Sequence, residues 1–378
     1  MSRTAEILSR LVAFPTVSRT DNTALMDYCA TTLAAAGATL TRIPYEDGRD
    51  NLYAVIGPED GAPVVLSGHT DVVPVEGQAW TRPPFELTEA NGKLFGRGTT
   101  DMKGFVAAAL SAAERAGSAP LKRPLALALS CDEEVGCLGV RPMVDALAKA
   151  PVRPSLVIVG EPTNLSVATG HKGKTALRAE VYGREGHSAL APFALNALYL
   201  ASDFVAALRA RQAAIAAHGA RDADYDVPYT TLHPGKLSGG VALNIVPNRA
   251  TVDFEIRALA EDDMGAIVDE LRAEAANVCA ATGDPDAKIA IESVFSYPGL
   301  ATDDRTAIDF VKGLTGANGT IKVAYGTEGG LFSERVGAPV VVCGPGSMAQ
   351  GHRPDEFIAK EQLDRCDQML TALIDRLC

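Results

Sequence analysis

The stretch VVLSGHTDVVP, residues 64–74, predicts a buried strand that ends in polar side chains. Its first residues are apolar or small, and His69 and Asp71 follow two positions apart. A continuous apolar run is typical of a strand in a parallel sheet that helices cover on both faces. Residues two positions apart on a strand point the same way. This strand is therefore expected to present a histidine and an aspartate together at one end.

Similar short apolar runs recur in the N-terminal and C-terminal parts of the chain. The runs PLALALS, SLVIVG and APVVVCG are short, apolar and bounded by turns. Helical patterns lie around them, and we expect helices at residues 4–13, 22–36, 103–115, 141–149 and 359–377. Strands that alternate with helices predict an α/β fold with a mixed, largely parallel sheet flanked by helices.

The middle of the chain has a different pattern. The segments KTALRAEVYGREG, YTTLHPGKLSGG and ATVDFEIRAL alternate, and two long helices are expected at residues 194–217 and 262–281. Alternation is typical of an antiparallel sheet with one face in water. The order strand–helix–strand–strand–helix–strand predicts an α+β domain of the ferredoxin-like type. We expect a discontinuous larger domain formed by residues 1–171 and 293–378, with a smaller domain inserted at residues 172–292.

Length, charge and cysteine content exclude several classes of protein. The chain has 378 residues, more than one compact core usually holds, which agrees with two domains. A net charge of -12 and the lack of a Lys/Arg cluster argue against a nucleic-acid partner. The chain contains no apolar run of about 18 residues, so no membrane-spanning helix is predicted. Seven scattered cysteines and an N-terminus without a long apolar run predict a reduced, cytoplasmic protein.

Several predicted strands are followed by side chains that can bind a metal ion. These are His69 after VVLSG, Glu133 and Glu134 after LALALS, Glu161 after LVIVG, and His352 after VVVCG, while Asp101 precedes a helix. Ligands bind beyond the carboxyl ends of the strands in open α/β sheets. Each residue alone is more often a helix cap or an ordinary structural residue. Their joint occurrence at one edge of the sheet predicts a metal site.

This set of imidazole and carboxylate groups predicts a pair of metal ions. Nitrogen and oxygen ligands of this kind suit zinc, and also cobalt or manganese. Two histidines, Asp101, Glu161 and one of the two neighbouring glutamates make five ligands, too many for one tetrahedral zinc ion. A bridging carboxylate is therefore expected, and Asp101 at a turn is the natural bridge. Asp71 can accept a hydrogen bond from the ring N–H of His69 and fix its tautomer. The alternative for Asp71 is a cap of the following turn.

Glu133 and Glu134 are neighbours, so their side chains diverge in extended geometry. One can bind metal while the other faces a water molecule and acts as the general base. The spacing leaves open which glutamate has which role.

Together these stretches resemble the zinc-dependent aminoacylase and deacylase family. The motifs that carry the resemblance are SGHTDVVP, GKLFGRGTTDMKG, CDEEVG, GEPT, GREGHSA and GPGSMAQGHRPDEF, in the family's order across nearly the whole chain. The resemblance implies a zinc-peptidase-like catalytic domain with an inserted dimerisation or lid domain. It implies two metal ions, one bound by His69 and Glu161, the other by Glu134 and His352, with Asp101 as the bridge.

The resemblance also implies further roles. Glu133 would be the general base, Asp71 would orient His69, and a cis peptide bond would follow Asp101. His187 of the inserted domain would stabilise the oxyanion, commonly in the active site of the partner in a homodimer. From the residues alone, the preferred interpretation of His187 is a histidine of a surface loop.

Asn244 and Arg257 resemble the family's substrate-binding residues. The Arg257 guanidinium suits a bidentate grip on an α-carboxylate. From the residues alone, Arg257 is a solvated strand residue or a member of an ion pair with nearby acids.

The reaction that the resemblance implies is hydrolysis of an N-acyl amino acid, a small molecule, with zinc or cobalt as cofactor. The stretches TGHKGK and YGTEGGLF favour the branch that converts N2-acetyl-L-ornithine to ornithine and acetate in arginine biosynthesis. Glu328 in the second stretch can face a cationic side-chain amine or cap a helix. The alternatives are desuccinylation of succinyl-diaminopimelate, another deacylase or carboxypeptidase activity, and a non-catalytic metal-binding relative.

Overall fold

The structure is a computed structural model that describes residues 2–46 and 48–378. The helices are α1 (Arg3–Val12), α2 (Thr23–Ala35), α3 (Lys103–Ala116), α4 (Arg141–Ala148), α5 (Ala197–His218), α6 (Met264–Ala281), α7 (Arg305–Thr315), the short α8 (Gly329–Leu331) and α9 (Lys360–Leu377). A 3₁₀ segment covers Ser188–Phe193, and a π-helical turn covers Phe332–Val336.

The strands are β1 (Thr39–Glu46), β2 (Arg49–Ile56), β3 (Val64–His69), β4 (Thr88–Ala90), β5 (Lys93–Phe95), β6 (Leu125–Ser130), β7 (Leu156–Pro162), β8 (Val167–His171), β9 (Gly173–Tyr182), β10 (Thr231–Gly239), β11 (Arg249–Ala258), β12 (Lys288–Tyr297), β13 (Leu300–Ala301), β14 (Thr320–Val323), β15 (Val340–Gly344) and β16 (Phe357–Ala359). The chain divides into two compact units. The first comprises Met1–Gly170, Leu300–Val323 and Thr327–Cys378, and the second comprises His171–Gly299 and Ala324–Gly326.

The first unit is built on a mixed sheet with strand order β1-β2-β6-β3-β7-β15-β8-β13, and β14 pairs with β8. The central pairs β6–β3, β3–β7 and β7–β15 are parallel, whereas β1 and β2 form an antiparallel edge. Every residue of β3, β6, β7 and β15 is buried. Burial on both faces explains why these strands read as continuous apolar runs. The predicted α/β class with a mixed, largely parallel sheet is confirmed.

Helix α3 packs on the parallel strands because small residues allow a close approach. It contacts β3, β6 and β7 on one side and α1 and α9 on the other. Gly160 of β7 faces the ring of Phe105, and a Cβ atom at this position would lie 1.9 Å from that ring. Only glycine permits this approach. The packing fixes the beginning of α3 near the carboxyl ends of the strands, and Asp101 lies just before it.

The second unit is an antiparallel sheet in the order β10-β11-β9-β12, packed with α5 and α6. Burial alternates along β9, and Leu177, Ala179 and Val181 join the core of this unit. Phe204 of α5 lies in the same core and packs edge-on against Phe254 of β11. The order of elements and strands is that of a ferredoxin-like domain, which confirms this part of the predicted fold.

The predicted helix at residues 194–217 begins later in the structure, at Ala197. The 3₁₀ segment precedes it, and the side chain of Asn196 accepts a hydrogen bond from the backbone N–H of Leu198 as an N-cap. Such a cap sets the first turn of a helix. Within residues 2–46 and 48–378, no helix combines the length and the apolarity that a membrane crossing requires.

Candidate metal centre

The predicted ligands of the first unit lie together where its parallel strands end. His69 is the last residue of β3, and Glu161 is the next-to-last residue of β7. Asp101 precedes α3, Glu133 and Glu134 follow β6, and His352 follows β15. Parallel strands bring their carboxyl ends to one edge of the sheet, which explains how residues distant in sequence become neighbours.

Asp101 lies between the two histidines. Its Oδ1 is 3.1 Å from Nε2 of His69, and its Oδ2 is 3.1 Å from Nε2 of His352. On one side, Nε2 of His69 is 3.7 Å from Oε1 of Glu161. On the other side, Nε2 of His352 is 3.0 Å from Oε2 of Glu134. The peptide bond between Asp101 and Met102 is cis, as expected.

Both neighbouring glutamates reach the cluster. Ligand atoms of His69, Glu133 and Glu161 lie within 4.8 Å of one another, and so do those of His69, Asp101 and Glu134. Glu133 also accepts a hydrogen bond from the thiol of Cys137, with 3.2 Å between Oε1 and Sγ. The side chains of Glu133 and Glu134 therefore enter different parts of one cluster.

The ring of His69 is held by backbone rather than by the expected carboxylate. Its Nδ1 lies 3.0 Å from the backbone carbonyl of Asp71, whereas the Asp71 Oδ1 is 3.6 Å away, beyond hydrogen-bond distance. A carbonyl only accepts, so Nδ1 carries the hydrogen and Nε2 faces the cluster. The Asp71 carboxylate instead accepts hydrogen bonds from the backbone N–H groups of Glu133 and Glu134.

Burial and crowding shift the pKa values in this cluster. Burial raises the pKa of Glu134 to about 7 and raises the pKa values of Glu133 and Glu161 well above the usual range. Hydrogen bonds to Asp101 and then to Glu134 raise the pKa of His352 to about 10. Burial opposes a charge on His69, but its neighbours Asp101 and Asp71 raise its pKa well above the ordinary value. The excess of buried carboxyl groups thus favours positive charge at the centre.

One atom tests directly whether these residues fit a metal ion. Oε2 of Glu161 is buried and has no hydrogen-bond partner. Burial of an unpaired carboxylate oxygen is costly, and a cation in the cluster would compensate for it. The donor set of imidazole nitrogen and carboxylate oxygen suits zinc, cobalt or manganese. The residues present therefore fit a pair of divalent ions.

The contacts of Glu328 differ from those that the sequence predicted. Its side chain is buried and accepts hydrogen bonds from the hydroxyls of Ser130, at 2.5 Å, and Ser67, at 3.3 Å. It stands at the beginning of α8, but its side chain does not cap that helix. Burial raises its pKa to about 7. Because serine hydroxyls already occupy its oxygens, this geometry favours a structural role over contact with a substrate amine.

The other candidate residues belong to the second unit. Nδ1 of His187 accepts a hydrogen bond from the backbone N–H of Ala189, at 3.1 Å, and the backbone carbonyl of Asn244 accepts one from Ser188. Arg257 lies on β11, where its Nε donates to Glu255 at 3.0 Å. The second unit therefore brings His187 and the Asn244 loop together, while Arg257 forms the ion pair that its sequence surroundings allowed.

Some supporting residues received no role from sequence reasoning. Ser18, Arg97 and Glu356 contact the cluster's loops through hydrogen bonds across long sequence separations. Glu356 belongs to the motif GPGSMAQGHRPDEF, four positions after His352, which was the one available signal.

Comparisons with known proteins identify the family of this chain. Residues 65–376 match the family described as Peptidase family M20/M25/M40. The acetylornithine deacetylase of Pasteurella multocida is 32% identical over 386 residues, which cover 99% of this chain and 97% of that protein. The acetylornithine deacetylase of Myxococcus xanthus is 34% identical over 382 residues, with coverage of 98% and 96%.

Solved structures share the fold. The M20 family metallo-carboxypeptidase Sso-CP2 from Sulfolobus solfataricus superposes with a TM-score of 0.81 at 18% identity, covering 100% of this chain and 99% of that one. The Bacillus subtilis YXEP protein, a dinuclear metal binding peptidase from the M20 family, gives a TM-score of 0.71 at 15% identity, with coverage of 98% and 96%. With its motifs, its fold and full-length relatives in agreement, this chain belongs to the peptidase family M20/M25/M40 and is a metal-dependent hydrolase, as its motifs had implied.

Proposed function

We propose that this protein hydrolyses N-acyl amino acids and that N2-acetyl-L-ornithine, which yields ornithine and acetate, is its principal substrate. The proposal rests on the position of Asp101. Its two carboxylate oxygens face different histidines, in a cluster that also contains Glu133. The substrate is suggested by the full-length relatives named acetylornithine deacetylase, at 32% and 34% identity. The activity would serve arginine biosynthesis.

In this proposal the centre holds two divalent ions, most simply zinc, with cobalt as an alternative. His69 and Glu161 would bind one ion, Glu134 and His352 the other, and Asp101 would contact both. When bound, such ions supply Lewis-acid chemistry, because they polarise an acyl carbonyl and make water more acidic.

Glu133 would be the general base. Its carboxylate would take a proton from the attacking water and return it to the α-amine as the C–N bond breaks. Asp71 would support this step, because its carboxylate accepts hydrogen bonds from the backbone of both glutamates.

Residues of the second unit would bind the substrate. Nδ1 of His187 accepts a backbone hydrogen bond, so the neutral ring carries its hydrogen on Nε2 and can donate it to an oxyanion. A donor of this kind contributes about 2.7–4 kcal/mol to transition-state stabilisation. Asn244 and Arg257 would contact the amino-acid portion, with the Arg257 guanidinium on the α-carboxylate.

We also propose a homodimer formed through the second unit. Several large apolar side chains of this unit are exposed, and the four most exposed are Phe193, Tyr199, Val241 and Leu243. Exposed apolar groups of this size often mark interfaces. A cytoplasmic location is supported by the seven cysteines, all of which are free.

The test is a substrate panel on chelated enzyme reconstituted with zinc or cobalt. Products of N2-acetyl-L-ornithine, N-acetyl-L-methionine and N-succinyl-diaminopimelate would be measured by mass spectrometry. We expect the highest kcat/KM with acetylornithine. Equal rates with acetylmethionine would refute the substrate assignment, and inactivity with every substrate and metal would favour a non-catalytic relative.

A further inference from the structure

Glu356 lies beneath the turn that carries Asp101, and its carboxylate accepts four hydrogen bonds. Oε1 accepts from the backbone N–H groups of Thr100, at 2.9 Å, and Asp101, at 3.1 Å. Oε2 accepts from the backbone N–H of Gly98, at 3.0 Å, and from the Arg97 guanidinium, at 2.7 Å. Glu356 is only 1% exposed. A buried carboxylate with this many donors fixes the path of the turn around it.

Arg97 extends the same arrangement to the loop of His352. Its guanidinium is 1% exposed and donates to the backbone carbonyl of Arg353, at 3.3 Å, and to the side chain of Gln78. Gln78 in turn donates to the backbone carbonyl of His352, at 2.9 Å. The guanidinium also lies over the ring of Trp80, at 4.9 Å from the centroid. Arg97 therefore holds the backbone that directly follows the His352 side chain, at Arg353 by its own hydrogen bond and at His352 through Gln78.

The two halves of the cluster differ in how they are supported. His69 and Glu161 lie on fully buried strands of the central sheet. His352 lies on a loop, its side chain is 49% exposed, and its backbone has a φ of 59°. A residue in that region of φ persists only where its surroundings hold it. The half that contains His352 thus depends on loop contacts that the other half does not need.

We propose that Arg97 and Glu356 are positioning residues that set the separation between Asp101 and His352. The inference rests on the proposed two-metal centre. Asp101 would contact both ions and His352 only one. Loss of the pair should therefore weaken the ion held by Asp101, Glu134 and His352 more than the ion beside His69 and Glu161.

The test is Glu356→Gln, measured as metal affinity rather than as activity. The amide turns an N–H₂ group toward backbone N–H donors, so two of the four contacts are lost. Zinc titration of the chelated protein by calorimetry should show one equivalent weakened about 10–100-fold, the range for outer residues of metal sites, and the other weakened clearly less. Glu89→Gln is the matched control, because Glu89 forms an exposed ion pair with Lys360 and should leave both equivalents unchanged.

A double variant, Arg97→Met with Glu356→Gln, covers the case in which the single variant does not fold. It removes both members of the ion pair, so no buried charge is left without a partner. The same unequal weakening of the two equivalents is expected. Equal weakening of both equivalents, or no change in either, would overturn the inference. A wild-type protein that binds fewer than two equivalents would instead refute the two-metal centre on which the inference rests.

Discussion

The carboxylate of Asp71 accepts a hydrogen bond from the backbone N–H of Glu133, with 3.0 Å between Oδ1 and the nitrogen. Oδ2 accepts one from the backbone N–H of Glu134, at 3.3 Å, and one from the hydroxyl of Ser18, at 2.7 Å. Asp71 follows β3 and the glutamates follow the adjacent β6. The side chain of Asp71 therefore positions the two glutamates, while its backbone carbonyl positions His69.

Asp71→Asn should lower kcat/KM about 10–100-fold at saturating zinc, the typical loss for an outer residue of a metal site. The amide keeps the shape of the carboxylate, but its N–H₂ group cannot accept a hydrogen bond from a glutamate N–H. The measurement is steady-state kinetics on acetylornithine. Ser18→Ala, which removes one hydroxyl from the same carboxylate, should cost less. A fully active Asp71→Asn enzyme would contradict this role.

Glu133→Gln should bind zinc with nearly wild-type affinity and lose about 10²–10⁴-fold in kcat, the usual contribution of a general base. Glu134→Gln should show the converse, a weaker metal affinity, because Glu134 contacts His352 at 3.0 Å. Calorimetry and kinetics on both variants separate these effects. If the two variants showed the opposite pattern, the assignments of the glutamates would have to be exchanged.

The central strands and their metal-binding residues could be predicted because burial and topology leave a local signal. The strand VVLSGH is buried throughout, and its terminal histidine must lie at the sheet edge that also carries Glu161. The edge strands β1 and β2 carry a weaker signal. In β1 the exposed and half-buried residues are polar as well as apolar, and Pro44 interrupts the run, so nothing marks the segment as a strand.

The supporting contacts could not be predicted because they have no local pattern. Glu328 receives hydrogen bonds from Ser67 and Ser130, which lie 261 and 198 positions away. Glu356 binds the turn of Asp101 across 255 positions. Such pairs follow from the three-dimensional arrangement of the strand ends. A single sequence indicates only whether an acidic residue is expected to be buried or exposed, and it does not identify the partner.

Metal uptake should release protons and should become tighter as the pH rises. In the metal-free protein the pKa of His352 is raised to about 10, by contacts with Asp101 and Glu134, and burial raises that of Glu134 to about 7. Both groups therefore hold protons near pH 7 that a metal ion must displace. Calorimetry in two buffers of different ionisation enthalpy counts the released protons. His352→Asn should release fewer, and uptake without proton release would contradict the prediction.

His171 should make the protein less stable in mild acid. It is buried, its Nδ1 lies 3.0 Å from the carbonyl of Lys172, and burial lowers its pKa from 6.5 to about 4. Below pH 6.5 His171 binds a proton in the unfolded chain but not in the folded protein. Unfolding therefore becomes more favourable as the pH falls, until His171 is also protonated in the folded protein near pH 4.

The corresponding change in the free energy of unfolding is about 3 kcal/mol. Urea denaturation of wild type and His171→Gln at several pH values would measure it. The variant should lose less stability than wild type between pH 6.5 and 4, whereas identical pH profiles would show that His171 does not contribute.

The exposed apolar residues of the second unit should control assembly. Leu243 is fully exposed and Val241 is 87% exposed, so neither side chain packs within the folded chain. Charged residues at these positions should therefore spare the fold and disrupt an interface that buries them. Val241→Glu combined with Leu243→Glu should convert a dimer to monomers in sedimentation experiments. Val152→Glu, at an exposed apolar residue of the first unit, is the control and should remain dimeric. A dimer that survives the double substitution would place the interface elsewhere, and a monomeric wild type would refute the proposed assembly.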